Sequence, residues 1–178
     1  MKNNILTPEE IVKSFKDEFK SKIYNSKIEK HVRGIKKTEF FHIWLKTDRN
    51  IIRNIVKHLM KLEKHPHFAV SSGYDAGKNI VILYHFSIYF GLNKKEININ
   101  ISVDLPKSDP TIETITDLIP GALISEQEKQ EMLGIKVINI PKKSRVFISE
   151  DYPEGVYHWR KDETGPDKTI RNLHEVKK

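Results

Sequence analysis

The chain has 178 residues, of which 31% are Asp, Glu, Lys or Arg and 38% are apolar; it carries a formal charge of +7 at neutral pH and has no cysteine. That length favours one domain with room for a tail, no run approaches the about 18–20 apolar residues that span a bilayer, and the opening MKNNILTPEE lacks the apolar core of a signal peptide. The missing cysteine excludes disulfides, thiol nucleophiles and cysteine-ligated iron–sulfur clusters from this chain.

These features predict a protein kept in the cytoplasm. The positive charge comes mostly from Lys, which reads first as solvated surface. Abundant Lys, Glu and Ile without Cys suggests a thermophilic source.

In chain order, TPEEIVKSFKDEFKSKI begins with a helix start signal. Thr7 caps, Pro8 suits the first helical position and Glu10 completes a capping box. Ile11, Val12, Phe15, Phe19 and Ile23 form its apolar stripe. KIEKHVRG and TEFFHIWLK read as two strands around a turn at 34–37. TDRNIIRNIVKHLMKLEKH is a second helix, with Ile51, Ile52, Ile55, Leu59 and Leu62 inward. HFAVSSGYD, NIVILYHFSIYF and EININISVD then read as strands. The middle one is apolar on both faces and so is interior. In the last, Ile97, Ile99, Ile101 and Val103 alternate with Glu96, Asn98, Asn100 and Ser102, which predicts one buried and one polar face. The fold class is α+β: a mostly antiparallel sheet with helices packed on one face, followed by an extended C-terminal tail.

The texture changes after Leu105. DPTIETITDLIPG reads as a short helix with Asp109 as cap, Pro110 at its first position and Pro120-Gly121 as its stop. SEQEKQEMLG reads as another, with Ser125 and Glu128 as a capping box and Gly134 at the C-terminal end. Pro141, Pro153, Gly155, Gly165 and Pro166 then interrupt the chain. The division expected is an α+β domain over 1–106, short helices over 107–138 and an extended tail over 139–178. The tail is too polar to build a core alone, so it is disordered or laid along another protein; Tyr157 and Trp159 favour the second.

Few motifs point to catalysis. His65 and His67 are spaced two apart without a carboxylate ligand set, which reads as a loop rather than a metal site. His42 and His85 fall within strands. No serine sits in a nucleophile elbow, and SSGYDAGKN does not match a phosphate-binding loop. Glu126, Glu128 and Glu131 invite an acid/base reading, since Glu128 and Glu131 share a helix face. Capping and the helix dipole account for them more simply.

The run from Glu126 to Ile135, EQEKQEMLGI, resembles the E-R-E-x-x-D/E-apolar-apolar-G-I signature of the 30 kDa subunit family of respiratory complex I, which has members in the related membrane-bound hydrogenases. TIETITDLIPGA is similar to the family's lead-in. Pro141 and Arg145 fall on an H-P-x-L-R-R segment, and YHWRKD on the closing P-L-R-K-D. The order holds across residues 111–162. Gln127, Ile140 and Ser144 stand where the pattern has Arg, His and Arg.

The resemblance implies a non-catalytic peripheral-arm subunit without a cofactor of its own. Its partners would be a large catalytic-type subunit and an iron–sulfur small subunit on the cytoplasmic side of the membrane, with membrane subunits contacted indirectly. Iron–sulfur clusters, and Ni–Fe in a hydrogenase, would sit on those partners. The departures favour a hydrogenase-type or ferredoxin-linked ion-pumping complex over a quinone-reducing NADH dehydrogenase. By the resemblance, Glu126, Glu128, Glu131 and Gly134 position the tail. Arg145, Trp159, Arg160, Lys161 and Asp162 then fix it on the large subunit, so that Arg160→Ala is expected to weaken assembly and leave the isolated fold nearly unchanged. A reading from another class is a stand-alone nucleic-acid-binding domain, motivated by the Lys pairs at 36–37, 94–95 and 142–143.

Overall fold

The structure, a computed structural model, describes residues 5–92, 95–141 and 144–166. Helix α1 spans Pro8–Phe19, and both halves of the expected capping box form: the Glu10 amide donates to Thr7 Oγ1 at 3.2 Å and the Thr7 amide to Glu10 Oε2 at 2.8 Å. Ile11, Val12 and Phe15 are buried beneath it. The stripe stops sooner than its spacing predicts. Lys20 takes φ 49° and Lys20–Lys22 tighten into a 3₁₀ turn, so Ile23 opens strand β1, Ile23–Arg33, instead of extending the helix.

β1 turns through 34–37 into β2, Thr38–Thr47, and α2, Ile52–Leu62, follows with Ile52, Ile55, Val56 and Leu59 inward. Strands β3, His67–Asp75, β4, Asn79–Ile88, and β5, Ile97–Pro106, complete a five-stranded sheet in the order β1-β2-β5-β4-β3. Every pairing is antiparallel except β2 with β5, which run parallel with Phe41 opposite Ile97. The sheet is thus mostly antiparallel and β4 is interior, as its sequence predicts.

Ile97, Ile99, Ile101, Val103 and Leu105 lie opposite Ile88, Phe86, Tyr84, Ile82 and Ile80, and all ten are buried on the helical side. Burial of that many branched side chains on one face fixes the register, because a one-residue slip would turn the set towards water. The other face is polar: His85 bonds Ser72 Oγ at 2.8 Å and Asn100 Oδ1 at 2.7 Å.

Two expectations beyond Leu105 are corrected. Residues 109–120 are not a helix. Thr111–Glu113 form a short strand, β6, parallel to β7, Lys136–Ile138. Thr111, Ile112, Thr114, Ile115 and Thr116 are all β-branched, which disfavours helix, and Ile112 is buried opposite Val137. Helix α3 spans Ala122–Leu133, so it begins a turn before Ser125. Pro120-Gly121 leads into this helix instead of ending an earlier one. Ser125 is no cap: its hydroxyl accepts from the Ser71 amide at 3.1 Å, pinning α3 to β3. Residues 144–166 run in turns against α3.

Candidate functional site

The carboxylates of α3 each have different partners, and none forms an acid/base pair. Glu126 is buried. Its Oε1 accepts from the Ile115 amide at 2.9 Å and its Oε2 from the Thr114 hydroxyl at 2.5 Å. Burial pushes its pKa up, against these two hydrogen bonds. Glu128 pairs with the ammonium of Lys129, a buried cation that also lies 5.4 Å over the Trp159 ring. Glu131 accepts from three successive amides, Val146 at 2.6 Å, Phe147 at 2.9 Å and Ile148 at 2.8 Å. Three converging N–H groups make a nest for an anion, and here the anion is the chain's own side chain.

Gly134 ends α3 at φ +66°, with its amide donating to the Gln130 carbonyl at 3.0 Å. A Cβ there would lie 2.5 Å from ring carbons of Tyr157. Glycine is therefore required twice, for the left-handed turn and for the close approach of the returning chain.

Backbone bonds, a buried guanidinium and an ion-pair cluster hold that return. The Trp159 amide donates to the Met132 carbonyl at 2.9 Å, and the Tyr157 amide to the Thr164 carbonyl at 2.8 Å. Arg160 Nε donates to the Leu133 carbonyl at 2.6 Å, and its guanidinium lies 5.7 Å over the Tyr157 ring. The Lys161 amide donates to Asp75 Oδ2 at 2.8 Å. Lys107 reaches Asp75 Oδ2 at 2.6 Å and also pairs with Asp162. Burial alone would raise the pKa of Asp162, but Lys107 and the Thr164 hydroxyl and amide hold it well below the usual carboxylate range. Asp75 is depressed likewise: burial opposes, and Lys107 with the Lys161 and Gly77 amides prevails.

Arg160 and Asp162 are thus engaged inside the chain, with the Arg160 side chain only 7% exposed. Asp75 and Lys107 are the site residues that sequence reasoning missed. The available signal was the D-A-G turn after Tyr74, which ends β3 at Asp75, level with Ile80 of β4 and so with Leu105 at the end of β5. Lys161 keeps its side chain exposed. Arg145 Nη1 donates to the carbonyls of Ser149 at 2.8 Å and Tyr152 at 2.9 Å, closing the loop on itself.

The positions that depart from the signature also have structural roles. Gln127 Nε2 donates to the Ser144 carbonyl at 3.2 Å, so two of the replaced arginines would have been neighbours. Ile140 is buried in the core.

The remaining candidates lie elsewhere. His67 stacks on Phe90 at 4.1 Å. His42 meets His31 on the polar face of the sheet, and burial lowers its pKa. Among the described residues, no group of three or more His, Asp or Glu side chains could hold a metal ion, and no helix is long and apolar enough to cross a membrane. Lys36 and Lys37 are exposed in the β1–β2 turn, whereas Lys94, Lys142 and Lys143 lie outside the described residues.

The family described as respiratory-chain NADH dehydrogenase, 30 Kd subunit, matches residues 45–169. The membrane-bound hydrogenase subunit beta of Pyrococcus furiosus is 28% identical over 131 residues, covering 73% of this chain and 75% of that protein. NAD(P)H-quinone oxidoreductase subunit J of Prochlorococcus marinus is 32% identical over 101 residues, 53% of this chain and 56% of that protein. A chain from the membrane-bound sulfane sulfur reductase, an archaeal respiratory membrane complex, shares the fold with a TM-score of 0.65 at 19% identity, covering 94% of this chain and 88% of that one.

Proposed function

The chain belongs to the respiratory-chain NADH dehydrogenase 30 kDa subunit family, and from that premise we propose that it is a non-catalytic, peripheral-arm subunit of a membrane-bound electron-transfer complex. The observation that carries this reading is the family match over residues 45–169, within which the signature helix and the returning chain are built as one unit. The subunit docks on the large catalytic-type subunit and the iron–sulfur small subunit, on the cytoplasmic side of the membrane. The clusters reside on those partners. Glu126, Glu131, Gly134, Arg160 and Asp162 shape the docking surface from within. Glu128, Arg145, Trp159 and Lys161 are the side chains through which it meets a partner.

A hydrogenase or ferredoxin-linked, ion-pumping complex is favoured, because the hydrogenase subunit aligns over more of both chains than the quinone oxidoreductase subunit does. The nucleic-acid reading is withdrawn. The family match overturns it.

The test is purification of the tagged protein from its native membranes in mild detergent, followed by native mass and metal analysis. Iron–sulfur and membrane subunits should co-isolate, with nickel in the sample if the complex is a hydrogenase. Recovery of the chain alone and metal-free would overturn the proposal.

A further inference from the structure

His58 of α2 is buried beneath the second half of α1, with 8% of its surface exposed. The ring of Phe15 meets it edge-on at 4.8 Å between centroids, and that of Phe19 at 5.5 Å. His58 Nε2 lies 2.6 Å from the Ser14 hydroxyl. Its Nδ1 is buried and has no hydrogen-bond partner among the described residues.

These surroundings suit one protonation state. In a neutral imidazole one nitrogen carries a proton and the other is a bare acceptor. With Nε2–H donating to the Ser14 hydroxyl, the nitrogen left without a partner carries neither proton nor charge. Proton uptake makes both nitrogens donors. Nδ1–H would then be orphaned, and a full charge buried with it. Phe15 and Phe19 would attract an imidazolium only weakly. Burial lowers the pKa of His58; Glu18 of α1 opposes that shift and Lys61 of α2 adds to it. These two charged side chains pair with each other at 3.7 Å, both exposed.

The contact matters most for the end of the helix. The first turns of α1 have other anchors. Ile11 and Phe15 are fully buried, the capping box closes the start, and the Leu6 amide donates to the Tyr89 hydroxyl at 2.9 Å. The last turn has fewer: half-buried Phe19 and the exposed Glu18–Lys61 pair. It then enters the corner at Lys20, whose φ of 49° is costly for a residue with a Cβ. Beyond the corner the chain is tied to the sheet again, where the Thr47 hydroxyl donates to the Lys22 carbonyl at 3.0 Å.

We propose that His58 is an acid-sensitive pin: proton uptake by its ring releases the last turn of α1 as far as the Lys20 corner, while the sheet and the first turns of the helix stay in place. The pin holds fully above the unfolded histidine value of about 6.5 and is lost as pH falls from there through the folded value. Release exposes Phe19. This inference goes beyond the proposed function and does not depend on it, because every group involved lies within the chain.

The test is NMR of the full-length chain between pH 8 and pH 5. The Cε1 proton of His58 gives its titration midpoint. Hydrogen exchange, corrected for the pH dependence of the intrinsic rate, gives the protection of the Lys20 amide, which donates to the Lys16 carbonyl. The midpoint is expected below about 6.5. Across it, protection at Lys20 should fall about tenfold, the scale of one orphaned buried donor, while amides of β4 keep theirs. His58→Phe retains an aromatic ring against Phe15 and Phe19 and takes no proton, so protection at Lys20 should stay level over the same range.

A His58 midpoint at or above 6.5 would overturn the inference. So would unchanged protection at Lys20 through the midpoint, or an equal loss in β4, which would report unfolding of the whole domain. A loss at Lys20 that persists in His58→Phe would assign the effect to another group. The titration of the parent chain needs no variant, so the inference remains refutable if phenylalanine at position 58 impairs folding. None of these outcomes bears on whether the chain co-isolates with partner subunits, which the purification from membranes reads separately.

Discussion

Arg160→Ala separates a docking residue from a residue that builds the docking surface. The side chain is nearly fully buried, and its Nε donates to the Leu133 carbonyl at 2.6 Å. Removing a charged donor from a buried carbonyl costs about 1.5–3 kcal/mol. Loss of the cation over the Tyr157 ring adds about 0.5–1 kcal/mol. The expected loss is therefore about 3 kcal/mol, and for a chain of this size each kcal/mol lowers Tm by about 2–4 °C. Thermal unfolding of the isolated subunit should show Tm lowered by about 6–12 °C, and hydrogen exchange should show the Trp159 amide losing protection. A Tm within about 2 °C of the parent, with Trp159 still protected, would refute this assignment and return Arg160 to the role its motif suggests, contact with the large subunit alone.

Other perturbations test neighbouring parts of the same unit. Gly134→Ala combines left-handed strain with a Cβ 2.5 Å from the Tyr157 ring; it should destabilise by about 3 kcal/mol in urea unfolding, with a smaller effect in a Tyr157→Ala background. Glu131→Ala leaves the amides of 146–148 without an acceptor, so trypsin cleavage after Arg145 should accelerate about tenfold while global stability falls by only about 1–2 kcal/mol. Glu126 has a folded pKa raised by burial, so its contribution is fully present below the unfolded value of about 4.3 and is lost as pH rises through the folded value. Glu126→Gln should remove that loss and match or exceed the parent in stability at pH 7, as measured by urea unfolding at pH 4.5 and 7; a parallel pH dependence in the two proteins would contradict the assignment.

What the sequence made legible was local. The capping box at Thr7, Pro8 and Glu10 is complete within four positions, and the alternation in β5 reports its two faces directly. The acidic signature was equally plain as a motif, but not what each of its carboxylates binds. Glu131 meets amides 15 to 17 positions later, and the Lys161 amide meets Asp75 across 86 positions. No periodicity encodes such partners. The strand at Thr111–Glu113 was missed because Asp109-Pro110 is a good helix start, whereas the β-branched residues that follow prefer to extend and find β7 beyond α3. The same distance effect made Arg160 look like a surface cation when it is a strut within the subunit.

The parallel seam between β2 and β5 has a consequence for how the chain acquires its shape. β1 and β2 pair through a short turn, and β3, β4 and β5 pair successively, so each group closes with neighbours in sequence. Only the β2–β5 pairing, from Phe41 opposite Ile97 to Thr47 opposite Val103, joins the two groups within the sheet, across α2 and two intervening strands. Closing that long loop is entropically slower than forming either hairpin. The folding barrier therefore lies at the seam. Substitutions at Ile43 or Ile99, which meet there, should slow folding itself, whereas those at Gly134 or Arg160 act after it and mainly speed unfolding.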